Sequence, residues 1–248
     1  MPNFLIIGTQ KGGTTSLYNY LIQHPQILAA SAKEVHFFDF NFSKGINWYR
    51  SQFPAIVDNQ NTITGEASPY YLFHPLVPAR VYQHFPQLKL IVLLRDPITR
   101  ALSHYYHEVR LGFENLSLSE AISKEAERMQ GEIEKIIADE NYYSYNHQHY
   151  SYLSRGIYIE QLQRWQKYFP SQQFLIIKSE DFYANPGAIV QEVLKFLELP
   201  DRQFNEYKSY NAGDYPRNIN PEIYSQLKTY FQPYNQQLET YLGKKIDW

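Results

Sequence analysis

Three short runs in which nearly every residue is apolar, Phe4–Ile7, Leu88–Leu94 and Phe174–Ile177, constrain the fold most. A strand with one wet face alternates apolar and polar residues, whereas a run with no polar face belongs to a parallel strand covered on both sides. Ile63–Glu66 is a weaker fourth run. Helical patterns lie between them, over Thr15–His24, Ile98–Arg110, Tyr158–Phe169 and Pro186–Leu197. A last helix is expected over Pro221–Leu242, with its proline in the first turn. Strands alternating with helices predict an α/β fold, a central parallel sheet flanked by helices. No repeat and no linker divides the chain, so residues 1–248 read as one domain. Two stretches stand outside the alternation. Ser119–Glu140 reads as a charged amphipathic helix that could cap a cleft. Asn141–Tyr152 (NYYSYNHQHYSY) has no clear period and reads as a loop, its tyrosines suited to a polar surface or to stacking on sugar rings.

The junction after the first strand carries the chemistry. Gly8–Leu17 reads GTQKGGTTSL, directly between strand and helix. Gly12 and Gly13 let the backbone turn tightly and bring its N–H groups near an anion. The helix N-terminus adds to that site, Lys11 supplies a positive charge, and Thr14, Thr15 and Ser16 supply hydroxyls. A glycine turn capped by threonine is the bland alternative. Lysine, two glycines and three hydroxyl residues together at this junction favour a phosphate loop. The order differs from a Walker A loop, in which Gly-Lys-Ser/Thr closes the motif, because here the lysine precedes the glycine pair. A kinase would also need a magnesium-holding acid after a later strand. Leu90–Leu94 is followed instead by Arg95 and Asp96, and the arginine suggests a second anionic group on the ligand.

The bulk numbers exclude several classes. The formal net charge of −2, with lysines and arginines scattered singly, leaves no basic stripe for nucleic acid. The absence of cysteine excludes disulfides, thiolate zinc sites and cysteine nucleophiles. The apolar run after Met1-Pro2-Asn3 is too short for a signal peptide and has no basic leader. No apolar stretch approaches the roughly 20 residues of a spanning helix. A soluble cytoplasmic protein without a transmembrane segment is the expectation.

With these motifs in place the chain resembles the sulfotransferases that use 3′-phosphoadenosine 5′-phosphosulfate (PAPS), in particular their bacterial and heparan-sulfate-type branch. GTQKGGTTSL is similar to that family's 5′-phosphosulfate loop, and Leu93–Glu108 (LLRDPITRALSHYYHE) to its 3′-phosphate motif. Lys33–Phe38 (KEVHFF) and Lys44–Pro54 (KGINWYRSQFP) resemble the segment bearing the catalytic carboxylate. The resemblance extends over nearly the whole chain and implies a P-loop-like α/β sulfotransferase fold. It implies that Lys11 contacts the bridging oxygen of the phosphosulfate and that Gly12, Gly13, Thr14, Thr15 and Ser16 cradle the 5′-phosphate. It implies that Arg95 and Ser103 hold the 3′-phosphate and that Glu34 is the general base. His36, two residues on, is a candidate to line the same pocket, the alternative being a half-buried histidine beside Phe37 and Phe38. His107, four residues after Ser103 and so on the same helix face, matches a histidine that faces the acceptor in the N-sulfating branch. PAPS is then a co-substrate, PAP the product, and no metal is needed.

The acceptor is less defined. Glu66–Tyr71 reads EASPYY, with Ala67 where the glycosaminoglycan enzymes usually carry lysine. Tyr210–Arg217 (YNAGDYPR) lacks the basic character and the disulfide of their C-terminal loop. These departures and the net charge favour a smaller acceptor over a long sulfated polymer: a glycan, glycolipid, lipid alcohol or small metabolite bearing a hydroxyl or amine. Two other readings stand beside sulfuryl transfer. One is an ATP-dependent small-molecule kinase, the other a non-catalytic nucleotide- or glycan-binding protein.

Overall fold

A computed structural model describes the chain except for residues 56–60, 205, 209 and 211–218. The described residues group into two compact units, Met1–Leu94 with Trp165–Asn211, and Arg95–Arg164 with Ala212–Trp248.

The first unit holds the sheet. Its strands are β1 (Phe4–Gly8), β2 (Ile27–Ala29), β3 (Ile63–Ala67), β4 (Lys89–Leu94) and, late in the chain, β5 (Phe174–Lys178). They pair in the order β2-β3-β1-β4-β5, every pair parallel. The apolar runs are the strands, as their composition requires. Side chains alternate between faces along a strand. Phe4 and Ile6 of β1 join Ile91 and Leu93 of β4 in one buried cluster, while Leu5, Ile7, Leu90 and Val92 are fully buried on the opposite face. Both faces are therefore covered, and an alternating pattern never arises. β2 escapes the sequence reading because three residues are too few to carry a period. The helices of this unit are α1 (Thr14–Leu21), α2 (Ile46–Arg50) and α3 (Val77–His84) before β4. Two more follow β5, over Ser179–Ala184 and Pro186–Phe196. The helix over Pro186–Phe196 packs on α1 through the same cluster, with Leu17 and Leu21 meeting Val190, Val193 and Leu194.

The second unit is helical: α4 (Pro97–Leu111), α5 (Leu118–Met129), α6 (Glu132–Ala138), α7 (Tyr145–His149), α8 (Tyr158–Gln166, to Arg164 in this unit) and, last in the chain, Pro221–Leu242. The intervening helices of the first unit are therefore α9 (Ser179–Ala184) and α10 (Pro186–Phe196), and the last helix is α11. Ile98, Leu102 and Tyr105 of α4 pack with Ala121, Tyr152, Leu227 and Phe231. Two expectations are corrected here. The helix expected over Ser119–Glu140 is two helices, broken where Gly131 adopts φ 73°. The loop expected over Asn141–Tyr152 contains α7, started by Ser144, whose hydroxyl accepts the His147 N–H at 3.0 Å. Among the described residues no helix is long and apolar enough to cross a membrane.

Candidate active site

The glycine loop joins β1 to α1. Thr9 N–H donates to Leu93 O at 2.8 Å and Ser179 Oγ donates to Gly12 O at 2.7 Å, which ties the loop to the end of β4 and the start of α9. A Cβ on Gly12 would lie 2.8 Å from Leu93 O, and one on Gly13 would lie 2.9 Å from the Tyr183 hydroxyl. Gly13 also has φ 97°, in the left-handed region that favours glycine. Gly13 caps α1 with no side-chain bond, and the first turn holds no acidic residue. First-turn N–H groups have no acceptor within their own helix, so this end of α1 suits an anion. Lys11 sits half-buried in the loop at φ 69°. Such a backbone costs about 1–3 kcal/mol in a residue with a side chain, and strain of this kind collects at functional loops.

The three hydroxyls behind the loop differ in their engagements. Thr14 is buried. Thr15 Oγ1 accepts a hydrogen bond from Lys33 Nζ at 2.9 Å. Ser16 Oγ accepts the Tyr210 N–H at 3.1 Å, so this side chain anchors residue 210 to α1 and its backbone N–H is what it offers an anion.

Lys33 leads from the loop to the expected base. Its ammonium also hydrogen-bonds Glu34 Oε1. Glu34 Oε2 accepts from His36 Nε2 at 3.1 Å, and His36 Nδ1 donates to Asp39 Oδ2 at 2.7 Å. Thr15, Lys33, Glu34, His36 and Asp39 thus form one continuous chain of side chains in which cation and carboxylate alternate. The electrostatics follow from that order. Burial alone would raise the Glu34 carboxyl, but the His36 hydrogen bond and the Lys33 charge outweigh it and hold the group at about 2. Burial would likewise lower His36, but the bonds to Asp39 and Glu34 hold it up at about 10. Near neutral pH Glu34 is a carboxylate and His36 an imidazolium.

The end of β3 fixes where this chain lies. Ala67 N–H donates to Lys33 O at 2.9 Å, Val35 N–H to Glu66 Oε2 at 3.0 Å, and His36 N–H to Ser68 Oγ at 3.3 Å. Glu66 is fully buried and also accepts from the hydroxyls of Ser68 (2.6 Å), Tyr49 (2.8 Å) and Tyr71 (3.0 Å). Burial pushes its carboxyl above the usual range in spite of these donors. Phe37, stacked on Tyr49 with ring centroids 4.7 Å apart, and Phe38 fill the space beneath.

Arg95, Ser103 and His107 belong to the second unit. Arg95 precedes α4 and is half-buried; its carbonyl accepts the Tyr158 hydroxyl at 2.7 Å. Asp96 is the N-cap of α4, its carboxylate accepting the Thr99 N–H at 2.7 Å, with Pro97 in the first turn. Ser103 lies on α4 with little exposure, and His107 is half-buried one turn on. His107 Nδ1 accepts from Arg110 at 3.0 Å. Glu108, the next residue, lies between His104 (3.2 Å) and His149 (2.8 Å).

Of the expected residues, Lys11, Gly12 and Gly13 lie in the loop and Thr14, Thr15 and Ser16 in the first turn of α1, and Lys33 ties Thr15 to Glu34. Lys33, Asp39 and Glu66 were not singled out by the sequence reading. Lys33 opens the KEVHFF segment and Asp39 follows it, and a cation and an acid on either side of Glu34 and His36 were the available signal. Most of the Tyr210–Arg217 segment lies outside the described residues.

Several known proteins similar to this chain are sulfotransferases. Mouse heparan sulfate glucosamine 3-O-sulfotransferase 5 is 34% identical over 271 residues, which cover 100% of this chain and 74% of that protein. The membrane-associated sulfotransferase kil1 of Dictyostelium discoideum is 29% identical, covering 100% of this chain and 66% of its own. The crystal structure of a sulfotransferase from Alicyclobacillus acidocaldarius superposes with a TM-score of 0.81 at 29% identity, covering 99% of this chain and 97% of that one. The family profile described as "Sulfotransferase domain" matches residues 1–248, and the chain belongs to that sulfotransferase family.

Proposed function

We propose that this sulfotransferase takes its sulfuryl group from PAPS and transfers it to a hydroxyl or amine of a glycan-type acceptor, with Glu34 as general base. The observation that carries the reading is the unbroken link from the glycine loop to Glu34 through Thr15 and Lys33. A base joined to the anion-accepting end of α1 is what an acceptor proton needs when the leaving group is a bound phosphate.

The residues fit the donor. Gly12 and Gly13 leave a cradle that a Cβ would fill, α1 opens without a side-chain cap, and Lys11 is in the loop. Lys11 and the backbone of residues 12–16 would hold the 5′-phosphosulfate, and Arg95 and Ser103 the 3′-phosphate. In the reaction the acceptor O–H or N–H gives its proton to a Glu34 oxygen while its lone pair forms the bond to sulfur. The bond from sulfur to the bridging oxygen breaks, and that oxygen leaves as the 5′-phosphate of PAP. Lys11 stabilises the charge developing there. Displacement is in line, with no covalent enzyme intermediate.

The glycan class is supported by the relatives, several of which are heparan sulfate glucosamine 3-O-sulfotransferases. Ala67 and the net charge of −2 favour a short or weakly charged glycan over a long sulfated chain. The test is transfer of labelled sulfate from PAPS to a panel of mono- and oligosaccharides, with ATP as the competing donor and EDTA present. Acceptor-dependent labelling in EDTA is expected. Transfer from ATP alone, or only with magnesium restored, would return the kinase reading.

A further inference from the structure

We infer that Lys33 is a bridging residue between donor and base: its ammonium holds the Glu34 carboxylate beside an anionic donor that would otherwise repel it. The inference rests on the reading of α1 as the donor site.

The reaction sets two negative groups side by side, a carboxylate and a phosphosulfate. Like charges a few ångströms apart in a partly desolvated site repel strongly. A cation that touches both removes the conflict. Lys33 Nζ is 2.9 Å from Thr15 Oγ1, on the first turn of α1, and it bonds Glu34 Oε1. Its side chain is only 22% exposed, so its charge is poorly screened by water. Both ends of the bridge are fixed. The Lys33 main chain is held by Ala67 N–H at 2.9 Å, and Thr15 is part of α1.

The arrangement also orders the events. Before the donor binds, Glu34 is the anion that the Lys33 ammonium contacts, and His36 contacts the same carboxylate from the other side. That holds the carboxyl at about 2, where it is a weak base. An anion arriving at α1 draws part of the ammonium's charge away and adds its own. Both changes make Glu34 more basic at the moment the donor is in place. The base is thereby activated in the donor complex and quiet in the free enzyme.

The test is PAP affinity by calorimetry on four proteins: wild type, Lys33→Met, Glu34→Gln and the double variant. A coupled pair is diagnosed by non-additivity. Lys33→Met should weaken PAP by about tenfold or more, the cost of unscreened like charge. Glu34→Gln alone should move it by less than about threefold, because Lys33 already screens the carboxylate. In the Lys33→Met background, however, Glu34→Gln should recover most of the loss. Lys33→Arg should keep affinity within about threefold of wild type, since the guanidinium restores the charge. Additive effects, or wild-type affinity in Lys33→Met, would overturn the bridge. A melting scan confirms that each variant is folded, and Lys33→Arg carries the test if Lys33→Met is not: a bridging cation predicts retained affinity and an unchanged acid limb of turnover, and a tenfold fall in a folded Lys33→Arg counts against it. A wild-type protein that does not bind PAP at all would sink the donor reading instead.

Discussion

Glu34 shows how far a residue's chemistry depends on its neighbours. An isolated surface glutamate would carry no mechanistic weight, and its sequence offers only the KEVHFF resemblance. In the structure it is the centre of a line running from Thr15 to Asp39. Glu34→Gln keeps the size and most of the hydrogen bonding but removes the proton acceptor. Turnover should fall by about 10²–10⁴-fold, the usual worth of a general base. The loss should appear in kcat as well as kcat/KM, because proton removal matters only in the transition state. An unchanged kcat would move the search to His107. His36 makes a pH prediction. Its folded value is about 10 against an ordinary 6.5, so its stabilising contribution is fully present below about pH 6.5 and is lost as pH rises through 10. Glu34, lowered from 4.5 to about 2, contributes above about pH 4.5 and loses its contribution as pH falls through 2. The melting-temperature gap between wild type and His36→Gln should therefore be widest near pH 5–6 and should close between about pH 7 and 10. A gap independent of pH over that range would mean that His36 acts through packing alone.

At the level of elements, local chemistry was legible and long-range pairing was not. The Asp96-Pro97 start of α4 is written in adjacent residues, as are the Gly12-Gly13 turn and the apolar character of β1, β4 and β5. Each depends on neighbours along the chain, so a pattern records it. The break at Gly131 was missed because two brief helices and one long one share the same apolar spacing, and α7 was missed because 5 residues are too few to carry a helical period. The support of residues 33–36 by the end of β3 was missed for a different reason. Ala67, Glu66 and Ser68 reach it across some thirty residues, and no periodicity records such a contact. The glycine loop yields a prediction of its own. Gly12→Ala places a carbon 2.8 Å from Leu93 O and 3.0 Å from Thr9 O, which are backbone atoms that cannot turn aside. The loop must shift, and PAP affinity should drop by about tenfold or more, since a displacement of an ångström at a binding site is costly. Normal PAP binding by Gly12→Ala would mean that the donor does not touch this loop.

For the whole molecule, the α/β class follows from the alternation of short apolar runs with helical patterns. The order β2-β3-β1-β4-β5 does not, since nothing in a strand's own residues names its partner. A ligand that binds only the folded chain adds about 2.7 kcal/mol of stability at a hundredfold excess over Kd. PAP should raise the melting temperature clearly more than ADP, which lacks the 3′-phosphate that Arg95 and Ser103 would hold. Equal shifts would remove those two residues from the donor site. The attachment of residues 33–36 to the end of β3 has one more consequence. Lys33, Val35 and His36 are gripped by their main-chain atoms, so the address of position 34 does not depend on the group mounted there. The site is a socket. A different reactive side chain placed in it would arrive at the same spot, and the enzyme could be retooled for new chemistry by a single codon.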